Sequence, residues 1–544
     1  IPDRLPQEQP VRSQSRLVEA LRDPACYSHP VQSIRILETH ISSVVLTGTF
    51  AYKIKKPVDL GFLDFSTLEQ RRHFCEEELR LNRRLAPSLY LGLVPITGTP
   101  DDPRLDGLGP AIEYALRMRQ FDREQQLDRL LARGQLTTAH IDDLAATLAD
   151  FHARTAVAGA DSPYGDPDHV WQPVAENFAQ IAGRLGTEPP DRLVALRQWS
   201  EASFAQQRAR IAARRRDGFV RECHGDAHLA NMVLWDGRVV PFDCLEFNPS
   251  LRWIDVISEI AFTVMDLGDR GHPDLGWRLL NAWLEHSGDY AGVALLRFYL
   301  TYRAMVRAKV AIIRQHQAAP ATAAFEAARE EYEGYLHHAE RYTRPPPAAL
   351  LITHGLSGAG KTTVSQQVIE TLGAIRVRSD VERKRLHGLA ATARSRSPIA
   401  GGLYGREAGD RTYERLAALA GELLDAGETV IVDAAFLERA RRERFRALAQ
   451  ARHVPFLILD LVADQSRLRA RIAQRMHTGG DASEAGTEVL THQITTHEPL
   501  SRDEAAAALT VDTAEPLSAA ELTSRIRRQL AQRPGVEPGD VPRQ

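Results

Sequence analysis

The sequence predicts two different mixed domains in one chain, because 544 residues are too many for a single ordinary core. In the first region short strand-like runs come early and long helical stretches follow, which predicts an α+β domain with a small β-rich lobe and a larger helical lobe. In the second region strands and helices alternate, which predicts an α/β domain with a parallel sheet covered on both faces. Three consecutive prolines, Pro345 to Pro347, stand between the two regions and cannot continue a helix.

Composition shifts give the domain boundaries. We expect the first domain over residues 1–344, a proline-rich linker over 345–349 and the second domain over 350–532. Residues 533–544 are rich in proline and glycine, so they are predicted to form a disordered tail.

Bulk properties limit the classes of function. Hydrophobic residues make up 43% of the chain and charged residues 26%, and no run approaches the roughly 18 apolar residues that span a bilayer. The formal net charge of −3 gives no general attraction for nucleic acid. The start lacks the pattern of a signal peptide and the four cysteines are widely spaced, so we expect a cytoplasmic protein with free thiols and no membrane partner. None of these features predicts an oligomeric state.

The elements of the first region follow from hydrophobic periodicity. A charged amphipathic helix is predicted from about Thr67 to Leu85, and the chain is mainly helical from about Thr137 onward. One β-rich island, ECHGDAHLANMVLWDGRVVPFDCLEF, interrupts the helical part. The early strands are predicted in the runs SIRILETH, SSVVLTG, FAYKIKKPV, LGLVPITG and AIEYALRMRQF.

The second region begins with the strand ALLITHG and a helix from Lys361 to Leu372 that ends at Gly373. Its last helix follows a capping box predicted for Ser518 and Glu521. Between them, further strands are predicted in IRVRSD, ETVIVDAAF, VPFLILDLVA and ALTVDT.

A phosphate-binding loop is predicted between the first strand and helix of the second region. The segment GLSGAGKTT fits the pattern G-x-x-x-x-G-K-[ST] and stands directly after a strand and before a helix. Its backbone amides would point at phosphate oxygens, Lys361 would reach the β and γ phosphates, and the Thr362 hydroxyl would bind Mg²⁺. The predicted ATP-binding residues are Gly355, Ser357, Gly358, Ala359, Gly360, Lys361, Thr362 and Thr363.

Two carboxylates end neighbouring strands of the predicted parallel sheet, at the edge where ligands gather. Asp433 has the position of a carboxylate that holds Mg²⁺, although an aspartate there also serves as a helix cap. Asp380 could accept a proton from an acceptor hydroxyl while Arg383 holds an anionic group of the substrate. The alternative for this pair is a helix cap with an ion pair between residues three apart.

This second region resembles the zeta-toxin and polynucleotide-kinase-like group of AAA-type P-loop kinases. The resemblance rests on GLSGAGKTT, on S-D-x-x-R at Ser379 to Arg383 and on IVDAAF. It implies that Asp380 is the general base and that Arg471 and Arg475 close over the phosphates during transfer. Arginines spaced by four are also common on an exposed helix face.

A second candidate site for phosphoryl transfer lies in the first region. In one arrangement for this chemistry an aspartate accepts the hydroxyl proton, an asparagine five residues later binds metal, and a second aspartate one hairpin later binds Mg²⁺. Asp226, Asn231 and Asp243 reproduce that order and spacing. The intervening MVLWDGRVVPF reads as a hairpin with Asp236 and Gly237 at its turn.

On these motifs, HGDAHLAN and FDCLEFN, the first region resembles the aminoglycoside phosphotransferase family, a branch of the protein-kinase-like fold. The resemblance implies a bilobal kinase-like domain with Asp226 as catalytic base and Asn231 and Asp243 as Mg²⁺ ligands. His224 would be a scaffold residue. No glycine-rich loop precedes the expected lysine strand, where ETHISSVVLTG stands instead, so the coverage of the phosphates departs from the kinase pattern.

The family also requires a strand lysine for the ATP phosphates, paired with a helix glutamate. Lys53 and Lys55 lie on one face of the strand FAYKIKKP, and either could bind the phosphates. We favour Lys53 because Ala51 precedes it by two positions, as in V-A-I-K. Glu78 is the expected partner because Leu81 and Leu85 follow on the same helix face.

The sequence therefore predicts a bifunctional phosphotransferase that uses ATP and Mg²⁺ in both domains and phosphorylates a hydroxyl of a small molecule or nucleotide. One alternative is a single catalytic module regulated by a nucleotide-sensing second module. Another is a kinase for nucleic-acid hydroxyls, which is possible but not favoured. Its phosphate track would be Arg439, Arg441, Arg442, Arg444 and Arg446.

Overall fold

A computed structural model describes residues 8–532 apart from 60, 62, 187–188, 392, 394–404, 479–485 and 516. The predicted tail at 533–544 lies outside the described residues. The chain forms two compact units, one of residues 1–173 with 207–263 and one of residues 174–206 with 264–544. Helices that precede the three prolines thus share a unit with the second region, and the linker boundaries at 345–349 stay a prediction.

In the first part of the chain an antiparallel sheet has the strand order β1-β2-β3-β6-β4-β5. Its predicted strands are confirmed, and β5 was not predicted because its sequence DPRL carries no alternating pattern. The elements are α1 (Glu8–Ala20), β1 (Arg35–Glu38), β2 (Ser42–Leu46), β3 (Phe50–Lys55), α2 (Leu68–Asn82), β4 (Tyr90–Thr99), β5 (Asp102–Leu105), β6 (Glu113–Arg119), α3 (Leu127–Ala132), α4 (Thr138–Arg154), α5 (Pro167–Leu185), α6 (Asp191–Arg216), β7 (Val220–Glu222), β8 (Met232–Trp235), β9 (Arg238–Pro241), α7 (Pro249–Arg252), β10 (Trp253–Asp255) and α8 (Val256–Asp269).

The predicted hairpin of the β-rich island is confirmed as the antiparallel pair β8 and β9. Asp236 and Gly237 at its turn have φ values of 49° and 74°. Left-handed conformations at both turn positions are typical of a two-residue hairpin turn, and Asp-Gly tolerates them. The hairpin returns the chain from Asn231, just before β8, to Asp243, just after β9.

The second part contains a parallel five-stranded sheet with the order β12-β13-β11-β14-β15, as the alternation of strands and helices predicted. The elements are α9 (Pro273–Ser287), α10 (Leu296–Gln317), α11 (Ala323–Thr343), β11 (Leu350–His354), α12 (Lys361–Val368), β12 (Ile375–Arg378), α13 (Ser379–Leu386), α14 (Arg406–Asp425), β13 (Val430–Asp433), α15 (Arg439–Gln450), β14 (Phe456–Val462), α16 (Gln465–Thr478), α17 (Thr487–Thr496), α18 (Arg502–Ala506), β15 (Ala508–Asp512) and α19 (Ala519–Ala531).

Helix α9 lies upstream of the prolines and covers the free edge of the parallel sheet. The Asn281 side chain accepts a hydrogen bond from the Arg376 amide at 2.7 Å and donates one to the Ala374 carbonyl at 2.9 Å. These are the backbone groups that an edge strand otherwise leaves unpaired. The indole of Trp277 packs so closely on Gly373 that a Cβ there would lie 2.9 Å from the ring. The upstream helix is therefore part of the packing of the parallel sheet.

The predicted capping box before α19 is wrong in its second half. The Ser518 hydroxyl accepts a hydrogen bond from the Glu521 amide at 3.2 Å, as expected. The Glu521 carboxylate instead pairs with Arg525 at 2.6 Å, one turn further along the helix.

Within the described ranges, every helix is too short or too polar to cross a bilayer.

Two candidate phosphotransfer sites

The predicted catalytic loop brings Asp226 and Asn231 together. The Asn231 amide nitrogen donates to the Asp226 carboxylate at 3.0 Å and to its backbone carbonyl at 3.1 Å. The Asp226 side chain is 38% exposed, so a substrate can reach it, and His228 Nε2 lies 3.3 Å from its Oδ2. The loop therefore presents an oriented carboxylate to solvent.

Glu259 on α8 anchors the loop that contains Asp226. Its carboxylate accepts a hydrogen bond from the Gly225 amide at 2.8 Å and contacts His152 Nε2 at 2.9 Å. Ligand atoms of His152, Cys223 and Glu259 lie within 4.8 Å of one another, but both Glu259 oxygens already serve these contacts. Glu259 is buried, as is Asp266 further along the same helix, and each has an ion-pair partner.

His224 is fully buried at the start of the same loop. Its Nε2 lies 2.8 Å from the Phe242 carbonyl, which precedes Asp243. The contact ties the two ends of the hairpin together, which is the scaffold position that the family resemblance implies.

Both candidate lysines on β3 contact Glu78 on α2. Lys53 Nζ lies 2.8 Å from one Glu78 oxygen and Lys55 Nζ lies 2.7 Å from the other. Lys53 also reaches Asp243 at 2.6 Å, whereas Lys55 is completely buried and pairs with Glu246. Burial alone would raise the pKa of Glu78, but the two ammonium groups outweigh it and hold the pKa at about 2. Lys53 is thus the lysine that contacts the candidate metal ligand.

Asp243 adopts a left-handed conformation with φ of 63°, which is uncommon outside glycine. Its amide donates to the Tyr90 hydroxyl at 3.1 Å, and the following amide of Cys244 donates to the Asn82 side chain at 2.9 Å. The carboxylate is 41% exposed. Contacts from β4 and α2 therefore maintain the backbone that presents Asp243.

A cavity of about 540 Å³ opens where β6 leaves the sheet, and sequence reasoning did not identify it. Leu46, Gly48, Gln120 and Phe121 contribute to its wall, and the Gln120 side chain accepts a hydrogen bond from the Gly48 amide at 2.8 Å. The residues have no motif of their own, so only the fold brings them together.

The second candidate site is a cavity of about 670 Å³ at the carboxyl edge of the parallel sheet. Two loop glycines leave no room for a side chain, since a Cβ would lie 2.6 Å from the Leu461 carbonyl at Gly355 and 2.7 Å from the Leu468 carbonyl at Gly358. Gly355 and Ala359 are not part of the cavity wall. The predicted ATP-binding residues that line it are Ser357, Gly358, Gly360, Lys361, Thr362 and Thr363.

Lys361 and Thr362 lie at the end of this loop with different partners. Lys361 Nζ donates to the carbonyls of Gly355 and Leu356 at 3.0 and 2.9 Å. Burial lowers its pKa and nearby Arg475 adds to this, despite the opposing carboxylates. The Thr362 hydroxyl donates to Asp433 at 3.0 Å. Hydroxyl and carboxylate oxygens together fit the preference of Mg²⁺ for oxygen ligands.

The structure brings the other predicted residues of this site to the same cavity. Asp380 lies in the first turn of α13 and pairs with Arg383 at 2.9 Å. Arg471 on α16 donates to the Gly358 carbonyl at 3.2 Å and to the Thr513 carbonyl at 2.6 Å, so it packs directly against the phosphate-binding loop. Arg475 lines the cavity one turn further on.

Sequence reasoning did not assign Gln493 or Arg378 to this cavity, and it named Arg441 only for a nucleic-acid track. The Gln493 side chain on α17 accepts a hydrogen bond from the Ser357 amide at 2.8 Å. The Arg441 guanidinium lies over the Tyr413 ring at 4.2 Å and lines the same wall. Arg378 ends β12 and lines the same cavity.

The arginine-rich run on α15 is not a continuous track for nucleic-acid phosphates. Arg442 is buried and pairs with Glu504 at 2.7 Å, and Arg441 pairs with Glu438 at 3.0 Å. The burial of Arg442 removes it from an extended track, whereas the role of the other arginines of the run stays a prediction.

The two folds and their sites define an enzyme of the kinase class, with a protein-kinase-like domain and a P-loop kinase domain, and thus a phosphotransferase. A family model described as an AAA domain matches residues 350–500. Uncharacterized protein Rv2004c of Mycobacterium tuberculosis is 31% identical over 465 residues, which cover 85% of this chain and 91% of the relative. The chain belongs to the same protein family as this mycobacterial protein.

The chain is also similar to solved structures. A choline/ethanolamine kinase family protein from Mesorhizobium loti is 12% identical with a TM-score of 0.37, over 62% of this chain and 96% of that chain. A sugar kinase from Janibacter sp. HTCC2649 is 24% identical with a TM-score of 0.27, over 34% of this chain and 95% of that chain.

Proposed function

We propose that the protein is a bifunctional ATP-dependent phosphotransferase, in which each domain transfers the γ-phosphoryl group of ATP to a hydroxyl of a small molecule or nucleotide. One observation carries the proposal. Each compact unit contains its own lysine, candidate metal carboxylate and accessible candidate base. These are Lys53, Asp243 and Asp226 in one unit and Lys361, Asp433 and Asp380 in the other.

In the kinase-like site Asp226 accepts the proton of the acceptor hydroxyl, and the Asn231 amide keeps its carboxylate oriented. Lys53 exchanges its contact with Asp243 for the ATP phosphates, while Glu78 holds the ammonium in place. Asn231 and Asp243 would hold Mg²⁺, which neutralises phosphate charge when bound.

In the P-loop site the backbone amides surround the phosphate chain, and Lys361 leaves its two carbonyl partners for the β and γ phosphates. Asp380 accepts the proton of the acceptor hydroxyl, and Arg383 holds an anionic group of the acceptor. Arg471 and Arg475 balance the charge that develops during transfer. Thr362 and Asp433 would hold Mg²⁺ at this site.

Two alternatives are distinguishable from this proposal. In the first, only one unit catalyses and the other senses nucleotide. In the second, the acceptor is a nucleic-acid hydroxyl, which the buried pairing of Arg442 with Glu504 disfavours. We further propose that the protein acts in the cytoplasm on a small-molecule substrate.

The test is to measure ³²P transfer from γ-labelled ATP to a panel of hydroxyl metabolites, with Asp226→Asn and Asp380→Asn made separately in the full chain. We expect each variant to lose one product by about 100-fold or more and to retain the other, because general-base catalysis contributes about 10²–10⁴-fold. Asp425→Asn is the control, since Asp425 is an exposed partner of Arg452. If either base variant leaves every product unchanged, that unit has no catalytic role through that residue.

A further inference from the structure

Glu285 on α9 contacts two arginines of the strand β12 beside the P-loop site, although it precedes the proline run by 60 residues in the sequence. One of its oxygens lies 2.7 Å from Arg376 and the other lies 3.2 Å from Arg378. The two arginines lie on the same face of the edge strand β12, because they are two positions apart. A single carboxylate from an upstream helix therefore holds both cations of this strand.

Both arginines are linked to Asp433, a candidate metal ligand. Arg378 Nε lies 3.7 Å from Asp433 Oδ2, which is close for charges but too long for a hydrogen bond. Arg376 donates to the Ser365 hydroxyl at 3.3 Å, and that hydroxyl donates to the same Asp433 oxygen at 3.3 Å. Glu285 is thus connected to Asp433 through Arg378 and through the pair of Arg376 and Ser365.

We infer that Glu285 is a positioning residue for the P-loop reaction, which keeps the Arg378 guanidinium from occupying Asp433 and so leaves that carboxylate available to Mg²⁺. This inference rests on the proposed function of the P-loop site. The candidate domain in the second region then needs α9, outside the family match at 350–500, to have a competent metal site.

The charge balance explains the role. With Glu285 ionised, its carboxylate is shared by the buried Arg376 and the partly buried Arg378, and Arg378 stays 3.7 Å from Asp433. Without that charge, Glu285 no longer opposes the attraction between the Arg378 guanidinium and the Asp433 carboxylate. An arginine paired with Asp433 opposes the binding of Mg²⁺ because its charge repels the cation. Its hydrogen bonds also occupy the carboxylate oxygens that Mg²⁺ needs.

The test is calorimetry of a non-hydrolysable ATP analogue with the full chain in a Lys53→Ala background, so that the P-loop site reports alone. We expect Glu285→Gln to weaken binding about tenfold with excess Mg²⁺, as loss of a partner of a metal ligand does. Binding in EDTA should change less than about twofold. Glu285→Asp, which keeps the charge, should recover part of the loss.

Glu428→Gln is the matched control. Glu428 is buried and pairs with Arg297 of α10 at 2.8 Å, so this ion pair also joins the parallel-sheet region to an upstream helix. It precedes β13, at the opposite end of the strand from Asp433. We expect it to leave nucleotide binding unchanged with and without Mg²⁺.

A double variant separates positioning from folding. If Arg378 is the competing cation, adding Arg378→Gln to Glu285→Gln restores most of the Mg²⁺-dependent affinity. An unchanged affinity in Glu285→Gln, an equal loss in Mg²⁺ and EDTA, or an equal loss in Glu428→Gln would overturn the inference. If the Lys53→Ala parent shows no nucleotide binding that Lys361→Ala removes, the proposed function of this site fails, and the inference fails with it.

Discussion

The Lys53 ammonium lies 2.6 Å from the Asp243 carboxylate, although 190 positions separate the two residues. The strand β3 supplies one partner, and the segment that follows the β8–β9 hairpin supplies the other. The same ammonium contacts Glu78 at 2.8 Å. A lysine held between two carboxylates can exchange one of them for phosphate while the other keeps its position.

The two lysines of β3 should therefore respond differently to substitution. We expect Lys53→Ala to reduce turnover at the kinase-like site by about 100-fold or more with little loss of stability, because Glu78 keeps its contact with Lys55. Lys55→Ala should destabilise the protein by about 3–5 kcal/mol, because it leaves Glu246 buried without its ammonium partner. Urea unfolding and turnover measure the two effects, and a Lys55→Ala protein as stable as wild type would contradict the assignment.

Glu78 should be a source of stability that disappears in acid. Its pKa of about 2 in the folded protein lies below the ordinary value of 4.5, so its contribution is present above pH 4.5 and is lost as the pH falls toward 2. We expect Glu78→Gln to lower the free energy of unfolding by about 3–5 kcal/mol at pH 7 and by less at lower pH.

The matched control is Glu76→Gln on the same helix. Glu76 is exposed and pairs with Arg72 one turn away, so the change should cost at most about 0.5 kcal/mol. Equal effects of the two substitutions in urea unfolding would show that the buried Glu78 contributes no more stability than an exposed ion pair.

Nucleotide binding at the P-loop should take up protons at alkaline pH. Burial lowers the pKa of Lys361, and the triphosphate supplies the negative charge that raises it again. At a pH between the pKa of Lys361 in the free protein and its pKa in the nucleotide complex, binding is therefore accompanied by proton uptake. The affinity for nucleotide falls as the pH rises through that range. Calorimetry in buffers of different ionisation enthalpy should show more uptake at alkaline pH than near neutrality, at a pH below the ordinary lysine pKa of about 10.4. Lys361→Arg should lose this linkage, since arginine stays charged.

Candidate site residues that lie close together in the chain could be predicted from the sequence. The distant residues that position them could not. The spacing from Asp226 to Asn231 and the P-loop pattern are continuous in the chain, and a turn such as Asp236-Gly237 has a local cause. Glu285 has no motif, because its role depends on α9 packing against β12. Periodicity indicates that α9 is an amphipathic helix, but it cannot say which strand the helix meets.

The same reasoning explains the errors. Arg442 belongs to an arginine-rich pattern that usually faces water, and it is buried with a carboxylate partner far along the chain. The capping box at Ser518 fails because Arg525 competes for Glu521. In each case a long-range or competing contact decided the outcome, and a single sequence does not reveal such contacts.

Gln493 should weaken the binding of nucleotide to the P-loop. Its side chain accepts the hydrogen bond of the Ser357 amide, which a phosphate oxygen would otherwise receive. We expect Gln493→Ala to tighten binding about fivefold, since a typical hydrogen bond contributes about 1 kcal/mol. His492→Ala, an exposed neighbour on the same helix, is the control. Weaker binding by Gln493→Ala would show that this side chain contacts the nucleotide instead.

The most direct test of the account is the stoichiometry of Mg²⁺-dependent binding of an ATP analogue to the full chain, measured by calorimetry. The account predicts two analogues per chain for the wild type, one for Lys53→Ala, one for Lys361→Ala and none for the double variant. If Lys361→Ala binds as many analogues as the wild type does, with the same affinity, the P-loop of this chain is not a nucleotide site and the central claim is contradicted.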